Sequence, residues 1–400
     1  MKVVESSTKD AQKVYEMVAA SIYDVCSSEM NLKYCYLCAD GASNVRKCGQ
    51  DHFLDYVRCV AHGLNIIGER TLRPYKKAVV SLVEKDALGM YSNLISDGKK
   101  FVLEMKKMAL TSEKFGLKQH VPTRWFSEFE CIESVMRSID ILTVNADDFP
   151  SEASDHLKNL STVESRVLYK ELAQVIQPLK DCNRYFQANS ITIPNVVPFY
   201  LSLLDEYEEQ KITASNNQKV ILKFASLAII KQMETLSPLH FLAVYLSPPT
   251  KNLVGIQMRL DKHNINIDAQ SIVDSEIQRI SSILPEEAVT SPQVTPKRQM
   301  TFVEKCLNKS TSPPPISLIE ERIYYERDSR QCPPQLYWPM AKSIYPKLGQ
   351  IAWRVFAVPT TESDVERSFS ILKNVYASNR LSIDLKFLEN MMLIKEMPSN

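Results

Sequence analysis

Thr162-Val-Glu-Ser-Arg-Val-Leu-Tyr-Lys-Glu-Leu-Ala-Gln-Val-Ile-Gln-Pro-Leu179 is the stretch from which the fold class is read. Val163, Val167, Leu172, Val175, Ile176 and Leu179 recur at helical intervals and form one apolar stripe. Ser161 and Glu164, three positions apart, have the pattern of a capping box, in which the two side chains satisfy amides at a helix start. Pro178 predicts a kink near the helix end, because it lacks the N–H of the next ladder bond. The same periodicity extends outward. Leu64, Ile67 and Leu72 open a region that reads as helix to about residue 284, and Val14, Val18, Ala19 and Ile22 predict a helix over 10–27.

Two short segments break the pattern. The apolar run Tyr34-Cys-Tyr-Leu-Cys38 enters Asp40-Gly-Ala-Ser-Asn44, which reads as a buried strand ending in a turn. A second strand is expected around 56–60. Pro285, Pro292, Pro296 and the run Pro313-Pro-Pro315 mark a linker. Three further helical patterns follow at about 339–357, 363–377 and 384–397. The expected fold is mostly α (α+β). No internal repeat is visible.

The chain has 48 Lys and Arg against 47 Asp and Glu, a net charge of +1. Any nucleic-acid surface must therefore be a local patch. Nine scattered cysteines suit reduced thiols inside a cell rather than a disulfide framework. The opening Met1-Lys-Val-Val-Glu-Ser-Ser has no apolar leader, and no apolar run reaches the length of about 18 residues that spans a bilayer. No Gly-rich loop follows an expected strand, which argues against a nucleotide-binding α/β enzyme. A soluble nuclear or cytosolic protein without a membrane partner is expected.

Several motifs bear on chemistry. Asp40 sits where a strand ends, the position of a metal-holding carboxylate and equally of a turn-forming residue. Cys59-Val-Ala-His62 places two soft ligands close together, yet also fits a buried thiol and a hydrogen-bonded histidine at a helix start. Cys35 and Cys38 have no matching second pair for zinc. Thr123-Arg124-Trp125 combines a cation and a tryptophan, which suits a phosphate with a stacked base and also a helix start packed in a core. Glu366-Arg367 lies inside an amphipathic pattern with Val365, Phe369 and Leu372. Lys76, Lys77, Lys99, Lys100, Lys106 and Lys107 form local basic pairs ahead of Trp125.

Taken in order, these motifs resemble hAT-family DNA transposases in five places. They are Asp40-Gly-Ala-Ser-Asn44, Cys59-Val-Ala-His-Gly-Leu-Asn65, Thr123-Arg-Trp125, Pro238-Leu-His-Phe-Leu-Ala-Val-Tyr-Leu-Ser-Pro248, and Pro359 through Glu366-Arg-Ser-Phe-Ser370. The resemblance implies a partial RNase-H-like core with few strands at 1–75, an all-helical insertion at 76–284, a Pro-rich linker at 285–315, and a dimerisation region at 316–400 whose helices complete the core. It implies that Asp40 is the second catalytic aspartate and Glu366 the catalytic glutamate, together holding Mg²⁺ or Mn²⁺ in an active member. His62, Arg124 and Trp125 become the DNA-contacting residues, Trp125 stabilising a flipped base.

The family's first aspartate lies on a strand well upstream of the second, and 39 residues precede Asp40 here. Asp10 and Asp24 are the aspartates among them, both in helical pattern. Two carboxylates without the third lose the geometry of a two-metal site. The expectation is a chain without catalysis and without a cofactor, derived from a transposase, dimerising through its C-terminal region and retaining residual DNA binding in the nucleus. The alternative is an active metal-dependent transposase in which Asp51 or Asp55 replaces the missing acid. Val365, Phe369, Leu372, Leu385, Leu388 and Met392 are the candidate dimerisation residues. Trp338, Ile344, Ile351 and Trp353 form an earlier apolar face of the same region.

Overall fold

The amphipathic stretch near the start becomes helix α1 (Ala11–Cys26). The computed structural model describes residues 10–26, 32–108, 114–121, 126–187, 191–284, 317–363, 365 and 367. Contacts divide the chain into two compact units. The first takes the described parts of Met1–Thr192, Val196–Leu236 and Thr360–Asn400, and the second takes those of Ile193–Asn195 and Ser237–Pro359. The chain is mostly α, with one small sheet.

In the first unit, β1 (Tyr36–Ala39) and β2 (Asp55–Arg58) are joined by α2 (Ser43–His52) and pair in parallel, from Tyr36 opposite Asp55 to Ala39 opposite Arg58. Both strands come within a residue or two of the expected runs. Helix α1 covers one side: Val14, Val18, Ala19 and Ile22 pack with Leu37 on a buried group of Leu32, Cys48 and Phe53. Tyr15 stacks on His52 with ring centres 4.2 Å apart. Gly49 is required in α2, because a Cβ there would lie 2.9 Å from Tyr56 Cβ.

Helices α3 (Val60–Leu72), α4 (Leu82–Lys107), α5 (Ser127–Arg137), α6 (Ile139–Val144) and α7 (Ser151–Ser161) follow. Then come α8 (Val163–Phe186), α9 (Val196–Thr213) and α10 (Asn216–Met233). Helix α3 packs on α8 and α10, and α4 packs on α5 and α7. In α8 the apolar stripe divides. Leu172, Val175, Ile176 and Leu179 are buried, whereas Val163 and Val167 are exposed.

Its cap differs from the capping box read at Ser161 and Glu164. Thr162 accepts from the Ser165 N–H at 3.1 Å, because Ser161 is already the last residue of α7. Pro178 stands inside α8, which continues to Phe186.

The second unit contains α11 (Pro238–Leu246), α12 (Leu253–Lys262), α13 (Ala269–Ile283), α14 (Leu318–Arg327), α15 (Pro334–Ala341) and α16 (Pro346–Phe356). Every residue of α11 from Leu239 to Leu246 is buried, so this helix is the axis of the unit. Trp338 donates to the Leu246 carbonyl at 2.9 Å and the Tyr325 hydroxyl donates to that of Tyr245 at 2.8 Å.

The single helix expected over 339–357 is two. Tyr345, at φ −123° and ψ 70°, leaves helical geometry before Pro346, as residues preceding proline tend to do. The Pro-rich stretch 285–315 lies outside the described residues. So do the patterns at 363–377 and 384–397, except for residues 363, 365 and 367. No helix among the described residues is long and apolar enough to cross a membrane.

Candidate functional site

Parallel strands direct the residues that follow them past one edge of the sheet, where loops converge. Asp40 is the first residue after β1 and is half-buried there. Its Oδ1 accepts from the Ala42 N–H at 3.0 Å, closing the turn into α2. The Tyr56 hydroxyl lies between the carbonyls of Ala39, at 3.1 Å, and Asp40. Glu362 arrives from the far end of the chain, and its Oε2 accepts from the Asp40 N–H at 3.0 Å. The segment carrying Glu362 is fixed by the Val60 N–H on the Thr360 carbonyl at 3.0 Å and by paired hydroxyls of Thr192 and Thr360 at 2.6 Å.

Cys59 precedes α3 and is buried, and burial pushes its thiol up to about 11. Burial raises Cys38 further, reinforced by Cys59 and Glu362. Both stay protonated at neutral pH, and thiols are poor ligands and nucleophiles in that form. His62, in the first turn of α3, is held below its ordinary range by burial and then by Arg58, with Asp40 and Glu69 opposing. It is a neutral imidazole at pH 7. Arg58 extends its guanidinium over Gly41, 3.2 Å from where a Cβ would stand.

Among the described residues these donors do not assemble a clamp for two divalent ions. Asp40 and Glu362 each give an oxygen to a backbone N–H. Asp55 opens β2 opposite Tyr36, so it lies about 13 Å along the strands from Asp40 at ~3.3 Å per residue. Asp51, in the last turn of α2 just ahead of Asp55, is placed toward that same far end. Among the described residues no three His, Cys, Asp or Glu side chains group to hold a metal. Glu366 lies outside the described residues. Glu362, in the same Pro359–Ser370 stretch, carries no periodic or spacing signal in the sequence, being an acid just after two threonines.

Arg124 and Trp125 also lie outside the described residues, but their flank is held by another motif. The Asn65 side chain accepts from the Phe126 N–H at 3.3 Å, so the Cys59–Asn65 segment meets the start of α5. Phe126 takes a left-handed conformation, φ 56°, and is buried. Gly68 allows its approach, since a Cβ there would meet the Phe126 ring at 3.0 Å.

In the second unit, α14 to α16 form a polar-braced corner. Glu321 is fully buried and accepts from the N–H groups of Lys347 and Leu348 at 3.1 and 2.7 Å, capping the start of α16. Asp328 ends α14 and receives Arg330 Nε at 2.9 Å and the Tyr337 hydroxyl at 2.8 Å. Lys251 donates to the Tyr325 carbonyl at 2.8 Å, its ammonium 4.9 Å from that ring's centre.

The apolar face read at Trp338, Ile344, Ile351 and Trp353 splits. Trp338 and Ile351 are core, whereas Ile344 and Trp353 are exposed. Ile319, Leu336 and Met340 are exposed as well, at 72, 59 and 56 %. Val365, in the first unit, is also exposed, while Phe369, Leu372, Leu385, Leu388 and Met392 lie outside the described residues.

Residues 317–398 match the model of the hAT family C-terminal dimerisation region. The match begins at the N-cap of α14 and runs through the segment that carries Glu362. No curated protein matches the chain.

Proposed function

We propose that the chain, whose residues 317–398 match the hAT family C-terminal dimerisation region, is an hAT transposase-related protein that acts in the nucleus as a self-associating, DNA-contacting protein without strand-cutting chemistry. The observation that carries this reading is the matched region, in which α14 to α16 expose Ile319, Leu336, Met340 and Trp353. Large apolar side chains exposed on three successive helices favour burial against a partner, at about 25 cal/mol per Å² covered. The β1–α2–β2 unit is the remnant of an RNase-H-like core. Its edge still gathers Asp40, His62 and Glu362, and with Asp51 and Asp55 at the other end of the strands it works as a structural junction.

Two copies of the full chain carrying different affinity tags test the association. The expected result is co-purification at micromolar concentration, weakened in Leu336→Asp and Trp353→Asp with unchanged circular dichroism. Failure of the unaltered copies to co-purify overturns the reading.

A further inference from the structure

In the first unit a cleft of about 470 Å³ opens between the end of α3, the middle of α4 and the start of α5. Arg73, Lys99, Lys100, Gln119, His120 and Glu128 supply its polar lining, with Ser92 and Ser96 beside them and Ile95 and Leu103 as apolar wall. Three permanent cations thus face one carboxylate.

Glu128 already shows how the cleft receives an oxyanion. Arg73 Nη2 reaches its two oxygens at 2.8 and 3.0 Å, and Lys99 Nζ reaches Oε1 at 2.7 Å. Two nitrogens that share one oxygen at such distances are no more than about 5.5 Å apart, a spacing that oxygens of a single phosphate can bridge. One carboxylate cannot neutralise both and Lys100 as well. Lys100 is exposed and pairs with no carboxylate among the described residues. The positive face continues along α4. Lys106 lies seven residues beyond Lys99, two turns and about 10 Å along the same side, and is held on Gln119, which also lines the cleft. Lys107, by contrast, is spent on Glu104 at 2.6 Å.

We propose that this cleft seats a backbone phosphate of a nucleic-acid strand, with Arg73, Lys99 and Lys100 as its cations and Lys106 taking a phosphate further along. A row of cations two turns long suits a polyanion better than a lone phosphate ion. The inference rests on the DNA-contacting part of the proposed function and names where that contact is made.

The test uses the full chain with fluorescein-labelled single- and double-stranded DNA, read by anisotropy across a salt series, and inorganic phosphate as a separate titrant. Lys100→Glu should weaken binding about tenfold and lower the log–log salt slope by about one per lost phosphate contact. Glu128→Gln should tighten it, and a change of opposite sign from neighbouring positions cannot come from misfolding. DNA binding that neither substitution alters overturns the cleft while leaving DNA contact standing. Binding of inorganic phosphate without DNA, lost in Lys100→Glu, overturns the nucleic-acid occupant. Binding of neither overturns both.

Discussion

The Asp40 N–H donates to Glu362 Oε2 across 3.0 Å, joining residues 322 positions apart at the edge of a two-stranded sheet. The contact ties the end of the chain to its beginning. Glu362 meets Asp40 through a backbone amide, which makes the contact a structural junction.

Removing that acceptor should loosen the edge. Glu362→Ala is expected to destabilise the first unit by about 1.5–3 kcal/mol, the range for hydrogen bonds to charged groups, and to speed hydrogen exchange at the Asp40 amide. Unfolding in urea and exchange mass spectrometry measure both. Protection of Asp40 equal to that of the unaltered chain would show that the contact carries no weight.

No strand cleavage is expected from this 400-residue chain on labelled DNA with either Mg²⁺ or Mn²⁺. Asp51 and Asp55 are placed toward the opposite end of the strands from Asp40, and an acid about 13 Å away cannot share its ion. Metal-dependent cutting that disappears in Asp40→Ala would refute this.

The fit of α2 on β2 is testable at Gly49. A methyl there would lie 2.9 Å from Tyr56 Cβ and 3.1 Å from its ring, too close for either to yield cheaply. Alanine gains about 1 kcal/mol of helix propensity over glycine, while overpacking typically costs 1–3 kcal/mol. Gly49→Ala should therefore lower the melting temperature, whereas the same change at Gly89, which has nothing within 4 Å, should raise it slightly.

Acid should loosen the second unit through Asp328. Burial pushes this carboxyl up, but the Arg330 guanidinium, the Arg330 N–H and the Tyr337 hydroxyl outweigh it and hold it well below the ordinary range. A depressed carboxyl stabilises the fold above its unfolded pKa of about 3.9 and loses that contribution as pH falls below it. Asp328→Asn should lower stability at pH 7 and flatten its decline between about pH 4 and 2. Glu321 acts in the opposite sense. Burial raises it against its two amide donors, so its protonated form is favoured in the fold and its contribution shrinks as pH rises through the folded value.

Elements with strong local signals were legible in the sequence. The stripe Val14, Val18, Ala19 and Ile22 gave α1 within a residue at each end, and the run ending at Cys38 gave β1. What failed was set by neighbours. Thr162 caps α8 because α7 ends one residue earlier, which periodicity alone does not reveal. Pro346 divides the helix expected over 339–357, and this break was readable from the proline rule. The box Ser317-x-x-Glu320 that opens α14 was equally readable. Glu362 was not, since its partner is an amide 322 residues away. The distinction between buried Trp338 and exposed Trp353 likewise depends on α11, which no pattern within 338–353 encodes.

The central claim is self-association through the region matched at 317–398. Light scattering on the full chain, coupled to size exclusion and run from about 1 to 50 µM, tests it most directly. The expected mass is at least twice the 45.6 kDa of one chain, falling toward that value in Trp353→Asp. A mass of one chain throughout the series would contradict it.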